Sequence, residues 1–350
     1  MKTYLIATLL AFTCTVPANA QSLELKAIAN EALDSVPSLG SMLVWQNDAL
    51  VFEAYFNGAD ANTNFKVKSV TKSVVSALAG IARDRGLLPD LDTPVLALFP
   101  EYADSLIVAP DLGFPELITD TDALKRTVTL RDLLTMRTGY VWDDNSALSS
   151  RAFNSSSDPV RFTLDLPFET EPGTEFKYCT SGSHVLGVAV AKSVHQNLKE
   201  FADAELFGPI GVSISSWSND RLGRTMGGTE LSMKASDMIK FGMLYLNEGM
   251  ANGKQVISKA WINESTSEQA VLNEWDVLPG ANGYGYYWWR RTTHGHQAYV
   301  ASGYGGQLIC VIPDLHMVIT TTCIVDDRNR GRSEIRRLHH FIDRIVALRE

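Results

Sequence analysis

Strand-like sequence is confined to the two ends of this chain, and the long stretch between them reads as helix and loop. Near the N-terminus, residues 41–45 and 50–56 are rich in β-branched and aromatic side chains, and Gln46-Asn47-Asp48 between them is good hairpin chemistry. Four more such runs, 285–291, 297–301, 307–312 and 317–324, fill the C-terminal third, with Pro313-Asp314-Leu315-His316 turning the last hairpin. Helical spacing predicts helices over 23–33, 69–85, 130–135, 184–194, 198–206 and 235–246, and a final one with Ile335, Leu338, Ile342 and Ile345 on one face. Strands at both ends of a chain join one sheet, and a sheet built from hairpins is antiparallel. The expected fold is therefore α/β: an antiparallel sheet flanked by helices, formed by residues 21–90 and 217–350. Residues 91–216 form a mostly helical inserted subdomain, and a cleft is expected between the two.

The first twenty residues stand apart from that pattern. Lys2 gives a positive start, an apolar stretch runs from Leu5 to Val16, and Ala18-Asn19-Ala20 supplies small residues for cleavage. Residues 1–20 read as a signal peptide, which predicts an exported protein, periplasmic or extracellular, cleaved near Ala20. Bulky Phe12 and Thr13 ahead of Cys14 argue against a lipoprotein. No later stretch reaches the run of about 20 apolar residues that a membrane span needs. Cys179, Cys310 and Cys323 remain after cleavage, an odd number, so at most one bridge can form, with Cys310 and Cys323 as the conceivable pair. The formal charge of −9 and the lack of a Lys/Arg block exclude a nucleic-acid partner. His294-Gly295-His296 has no third ligand cluster nearby and reads as a surface loop, so neither a metal nor another cofactor is expected. No Gly-x-Ser-x-Gly occurs, which argues against an α/β-hydrolase elbow.

Chemistry concentrates at Ser69-Val70-Thr71-Lys72. Ser and Lys three residues apart on a helix share one face. An amine packed against a hydroxyl in a desolvated cleft has its pKa lowered and can take the hydroxyl proton. Alone, the tetrapeptide fits equally a capping serine beside a solvated lysine.

Its surroundings resemble a known family. Phe65-Lys66-Val67-Lys68-Ser69-Val70-Thr71-Lys72-Ser73, continuing through Gly80 to Leu88, is similar to the first motif region of the penicillin-recognising serine hydrolases. That superfamily holds class C β-lactamases, D-Ala-D-Ala carboxypeptidases, esterases and 6-aminohexanoate-dimer hydrolases. The likeness continues, in the family's order, in Val128-Thr129-Leu130-Arg131-Asp132-Leu133-Leu134-Thr135-Met136-Arg137-Thr138-Gly139 and Pro172-Gly173-Thr174-Glu175-Phe176-Lys177-Tyr178-Cys179-Thr180. It ends in Gly285-Tyr286-Tyr287-Trp288-Trp289 and Gly303-Tyr304-Gly305-Gly306-Gln307.

The resemblance implies a β-lactamase/transpeptidase-like fold and a serine hydrolase with an acyl-enzyme on Ser69 and Lys72 as its base. Tyr178 falls on the tyrosine of the family's Tyr-x-Asn motif, where a phenol relays a proton and a lysine ammonium stabilises the phenolate. The backbone N–H groups of Ser69 and Tyr304 are the implied oxyanion hole. Thr180, Ser302, Gly303 and Gly305 are the implied substrate contacts. The loop Trp142-Asp143-Asp144 is expected to cap the cleft as a lid together with Tyr140, and Gly227-Gly228-Thr229-Glu230 to line it, whereas Trp288 and Trp289 are expected to pack the sheet.

Two departures bear on substrate. Thr180 replaces the motif's Asn, and the third-motif strand, Tyr299-Val300-Ala301-Ser302-Gly303, carries no Lys or His. The pattern is closer to the 6-aminohexanoate-dimer hydrolase and esterase branch, so a small ester or linear amide is the expected substrate. A β-lactamase or D-Ala-D-Ala carboxypeptidase, its cation supplied by Arg290 or Arg291, is the alternative. An inactive penicillin-binding sensor module is the alternative outside enzymes.

Overall fold

Both ends of the chain meet in one antiparallel sheet. In the computed structural model, which describes residues 18–103, 121–272, 278–325 and 331–350, strand β1 (Leu39–Gln46) pairs on one side with β2 (Ala49–Tyr55). Short strands β3 (Asn64–Lys66), β4 (Ser216–Trp217) and β5 (Leu231–Lys234) form a separate three-stranded sheet, and β6 (Met250–Ala251) and β7 (Lys254–Gln255) a small hairpin. The C-terminal strands are β8 (Ala281–Tyr284), β9 (Trp289–Thr293), β10 (His296–Gly303), β11 (Gln307–Ile312) and β12 (Met317–Cys323). The main sheet runs β2-β1-β12-β11-β10-β9-β8, so β1 and β12 carry the junction between the chain's two ends, with Val44 opposite Ile319. Asn47 and Asp48 both have positive φ, 48° and 64°, as the tight turn between β1 and β2 requires.

Every residue of β1, β11 and β12 is buried, because helices cover both faces. Gly242 of the Ala235–Leu246 helix packs so closely on β12 that a Cβ there would lie 2.5 Å from Val318 Cγ1. Cys323, on the other face of that strand, lies beside Leu338 of the Gly331–Arg349 helix. That last helix packs against the first one, Ala18–Ser35. Residues 1–17 of the expected signal peptide lie outside the described residues. No helix among the described residues is long and apolar enough to cross a membrane. Between residues 91 and 215 the described elements are all helices.

Three sequence expectations need correction. The expected strand 285–291 begins as a turn: β8 ends at Tyr284, a turn closed by Gly285 N–H to Trp288 O (2.8 Å) carries Tyr287 at φ 62°, and β9 starts only at Trp289. Its aromatics read as strand because they are buried, but they pack from a turn. The Val70–Asp84 helix, whose Val70, Val74, Ala77, Leu78 and Ile81 are spaced for one apolar side, is buried on all sides through Ala82 and not on that side alone. Its polar residues find partners: Thr71 Oγ1 donates to Lys68 O and Ser73 Oγ to Tyr287 O. The third concerns the cysteines. Cys310 sits opposite Ile319 and Cys323 opposite Leu39, so the two thiols are not paired, and all three described cysteines are free and buried.

Candidate active site

Ser69 sits where the backbone turns into the Val70–Asp84 helix. Lys68 before it holds a positive φ of 52°, a conformation a side chain adopts only when its surroundings impose it. Ser69 occupies the N-cap position, yet its hydroxyl caps nothing. Lys72, one turn on, is 1% exposed, with Nζ 2.9 Å from Ser69 Oγ and donating to Gly228 O at 2.8 Å. Burial drives its pKa down and the nearby Asp144 charge opposes this, leaving it at about 8. An amine so placed is a base available near neutral pH.

The Tyr178 ring faces Lys72, with Nζ 4.9 Å from its centroid, and stacks on Trp289 at 5.7 Å and 15°. Tyr178 lies two residues before the Thr180–Ser193 helix, whose N-cap is Cys179, its Sγ accepting from Gly182 N–H. That helix therefore starts four residues earlier than its expected first residue, His184. Burial and the Asp144 charge push the Tyr178 pKa up, while a hydrogen bond with Ser69 offsets part of the rise. The phenol is thereby held protonated, which makes it a proton donor; the phenolate expected from a neighbouring ammonium is not the favoured form.

These residues line a cleft of about 1420 Å³, together with Trp142, Asp144, Thr180, Ser302, Gly303 and Tyr304. Gly303 ends β10 against the turn that carries Ser69: a Cβ there would meet the Val67 carbonyl and lie 3.2 Å from Lys68 Cβ. Ser69 and Tyr304, the residues that follow on each side of this contact, both line the cleft. The Ser69 N–H has no hydrogen-bond partner among the described residues. Tyr140 and Gly305 do not line the cleft. Tyr140 is bridged to Phe168 and its ring packs on that phenylalanine at 5.1 Å, while Gly305 turns toward Val325. Trp142 does line it, with Nε1 donating to Asp144 Oδ1 at 2.7 Å. Trp288 packs in the core as expected, but Trp289 lines the cleft.

Arg290 and Arg291 supply no cation here. Arg290 pairs with Glu268, and Arg291 is buried against Asp343 and His339. Three features escaped sequence reading: the Asp144 carboxylate, the Gly228 carbonyl and the Trp289 shelf. Asp144 was legible only as part of a loop, and a carbonyl leaves no mark on sequence.

The Beta-lactamase family model matches residues 31–342. The chain belongs to the Beta-lactamase family. Its members and relatives are serine hydrolases, and the Ser69–Lys72 pair lies within the matched span. A similar protein is the 6-aminohexanoate-dimer hydrolase of Paenarthrobacter ureafaciens, 23% identical over 242 residues that cover 67% of this chain. The match spans 59% of that relative's length. Among solved structures, the β-lactamase/D-alanine carboxypeptidase of Yersinia pestis, complexed with citrate, superposes with TM-score 0.70 at 14% identity, covering 95% of this chain and 100% of the other. EstCE1, a hydrolase with promiscuous acyltransferase activity, gives TM-score 0.70 at 15% identity, with 92% and 99% covered. These likenesses establish the β-lactamase-like fold.

Proposed function

We propose that this protein cleaves a short-acyl ester or a linear amide through an acyl-enzyme on Ser69. The observation that carries the reading is Lys72 Nζ, 2.9 Å from Ser69 Oγ, with its pKa brought down to about 8. Lys72 takes the Ser69 proton as Oγ bonds to the substrate carbonyl carbon. Backbone N–H groups of Ser69 and Tyr304 hold the oxyanion. As the bond to the leaving group breaks, Tyr178 gives that group its proton. The Lys72 ammonium, facing the ring, then steadies the phenolate. In deacylation Tyr178 recovers a proton from water, whose oxygen attacks the ester, and Lys72 returns its proton to Ser69.

The substrate class rests on charge. The Thr180 hydroxyl donates a hydrogen bond to Asp144 Oδ2 at 2.8 Å, so it is not poised for a substrate amide. Asp144 itself places a carboxylate on the cleft wall, which repels a substrate carboxylate. The Paenarthrobacter relative is named as a hydrolase of a 6-aminohexanoate dimer, in keeping with this choice. The N-terminal leader supports export.

A second reading has one observation behind it: Arg336 lines the same cleft and could hold the carboxylate of a β-lactam or D-alanyl substrate. Comparing kcat/KM for p-nitrophenyl acetate, linear 6-aminohexanoate dimer and nitrocefin on one preparation decides between them. The ester or the dimer is expected to lead, and nitrocefin ahead by tenfold would favour the second reading. Stoichiometric acylation without release by any of the three would instead mark a sensor.

A further inference from the structure

His184 lies in the first half of the Thr180–Ser193 helix, wholly buried, and takes no part in the chemistry above. Both ring nitrogens are engaged. Nδ1 accepts the Gly227 N–H at 3.2 Å, and Nε2 is 3.1 Å from Asp220 Oδ2. An imidazole that accepts at Nδ1 is neutral and carries its proton on Nε2, which it donates to Asp220. Burial pushes the His184 pKa down, in keeping with that neutral form.

Asp220 is fixed in turn. It accepts Arg224 Nε at 2.7 Å and the backbone N–H groups of Leu222 and Arg224, both at 2.9 Å. Arg224 Nη2 donates to Asp158 at 2.6 Å, and Asp158 accepts the Tyr102 hydroxyl. The imidazole is thus held from behind by a chain of charge-assisted bonds.

On its other side lies a segment with no side chains of its own. Gly227 and Gly228 press on the helix so closely that a Cβ would lie 2.6 Å from Ser183 O at the first and 2.7 Å from Thr180 O at the second. With no side chain to anchor them, their backbone groups set their place. Among the described residues the Gly228 carbonyl is one of two hydrogen-bond partners of Lys72 Nζ, the other being Ser69 Oγ.

We propose that His184 is a positioning residue for the Ser69–Lys72 pair, acting through the Gly227–Gly228 backbone and oriented by Asp220. This rests on Lys72 being the base for Ser69. If the imidazole lets go of Gly227, the Gly228 carbonyl shifts and the Lys72 amine loses its alignment on the hydroxyl. A 1 Å displacement of that kind slows the chemical step and leaves ground-state binding nearly unchanged.

Three variants separate this role from plain core packing. Asn places an amide oxygen near the Nδ1 position, Gln reaches toward the Nε2 position and Asp220 only, and Phe does neither. In H184Q and H184F, kcat and the rate constant for fluorophosphonate labelling of Ser69 are expected to fall about tenfold or more, the equivalent of one lost hydrogen bond. KM should stay within about twofold. H184N should recover most of the loss. Equal losses in H184N and H184Q, tracking their melting temperatures, would overturn the proposal, as would labelling of H184Q at the wild-type rate. Should the variants fail to fold, ¹⁵N chemical shifts of His184 in the wild-type protein still decide: an unprotonated Nδ1 is expected, and a protonated one overturns the assignment. Wild-type protein whose Ser69 does not label at all would count against the acyl-enzyme reading instead, and the nitrogen shifts would still test His184.

Discussion

Asp144 Oδ2 accepts the hydroxyl of Thr180 at 2.8 Å, and through that bond the loop over the cleft is tied to the helix that follows Tyr178. The same carboxylate accepts Trp142 Nε1 and raises the pKa of both Lys72 and Tyr178. One side chain thus bears on the charge state of Lys72 and Tyr178 together. In Asp144→Asn the ammonium of Lys72 loses a stabilising charge, so its pKa falls below about 8. The acidic limb of the pH–rate profile should move to lower pH. Nitrocefin, which carries a carboxylate, should gain about fivefold relative to p-nitrophenyl acetate, the equivalent of about 1 kcal/mol of relieved repulsion. Titrating both substrates on the same variant measures both effects.

The wild-type pH profile has a definite sign. Lys72 accepts a proton only when neutral, and its pKa is brought down to about 8 by burial, against the pull of Asp144. Log kcat/KM for an uncharged ester should therefore rise with unit slope to about pH 8 and then level off. Substitution Lys72→Ala should remove this limb and lower kcat by about a thousandfold. A wild-type profile flat down to pH 6 would show that some other group is the base.

Tyr178→Phe separates proton donation from packing. The ring can keep its stack on Trp289 and its face toward Lys72, and only the hydroxyl is lost. A p-nitrophenolate leaves without a proton, whereas an amine must receive one. The variant should lose about 10²–10⁴ in kcat on the linear amide. Acylation by p-nitrophenyl acetate, read from the pre-steady-state burst, should fall less than about tenfold. Equal losses on both would place Tyr178 in a role other than donor to the leaving group.

The sheet was legible because its signals are local. Asn47-Asp48 specifies its own turn, the spacing in the Ala235–Leu246 helix matches its observed bounds, and strands at both ends of the chain have to pair. Ser69 and Lys72 were legible because three residues on a helix fix a geometry without further help. The break at residues 285–288 was not, since a run of buried aromatics has the same composition in a strand as in a turn. Distant partners hold the turn, with Ser73 donating to Tyr287 O and Ser265 O accepting the Tyr286 N–H. Asp144, Trp289 and the Gly228 carbonyl reach Thr180, Tyr178 and Lys72 by long-range packing, for which spacing along one chain carries no signal. Tyr140 and Trp142 show the limit well: two residues apart, one is bridged to Phe168 outside the cleft and the other is turned into it.

The central claim is that Ser69, activated by Lys72, is the residue that becomes acylated. Its direct measurement is peptide mapping by mass spectrometry after treating the folded protein with a fluorophosphonate probe at pH 8. The account predicts one stoichiometric adduct on Ser69, absent in Ser69→Ala and slowed by orders of magnitude in Lys72→Ala. An active, folded protein that leaves Ser69 unmodified, or that carries the adduct on another serine while Ser69→Ala keeps its activity, would contradict it.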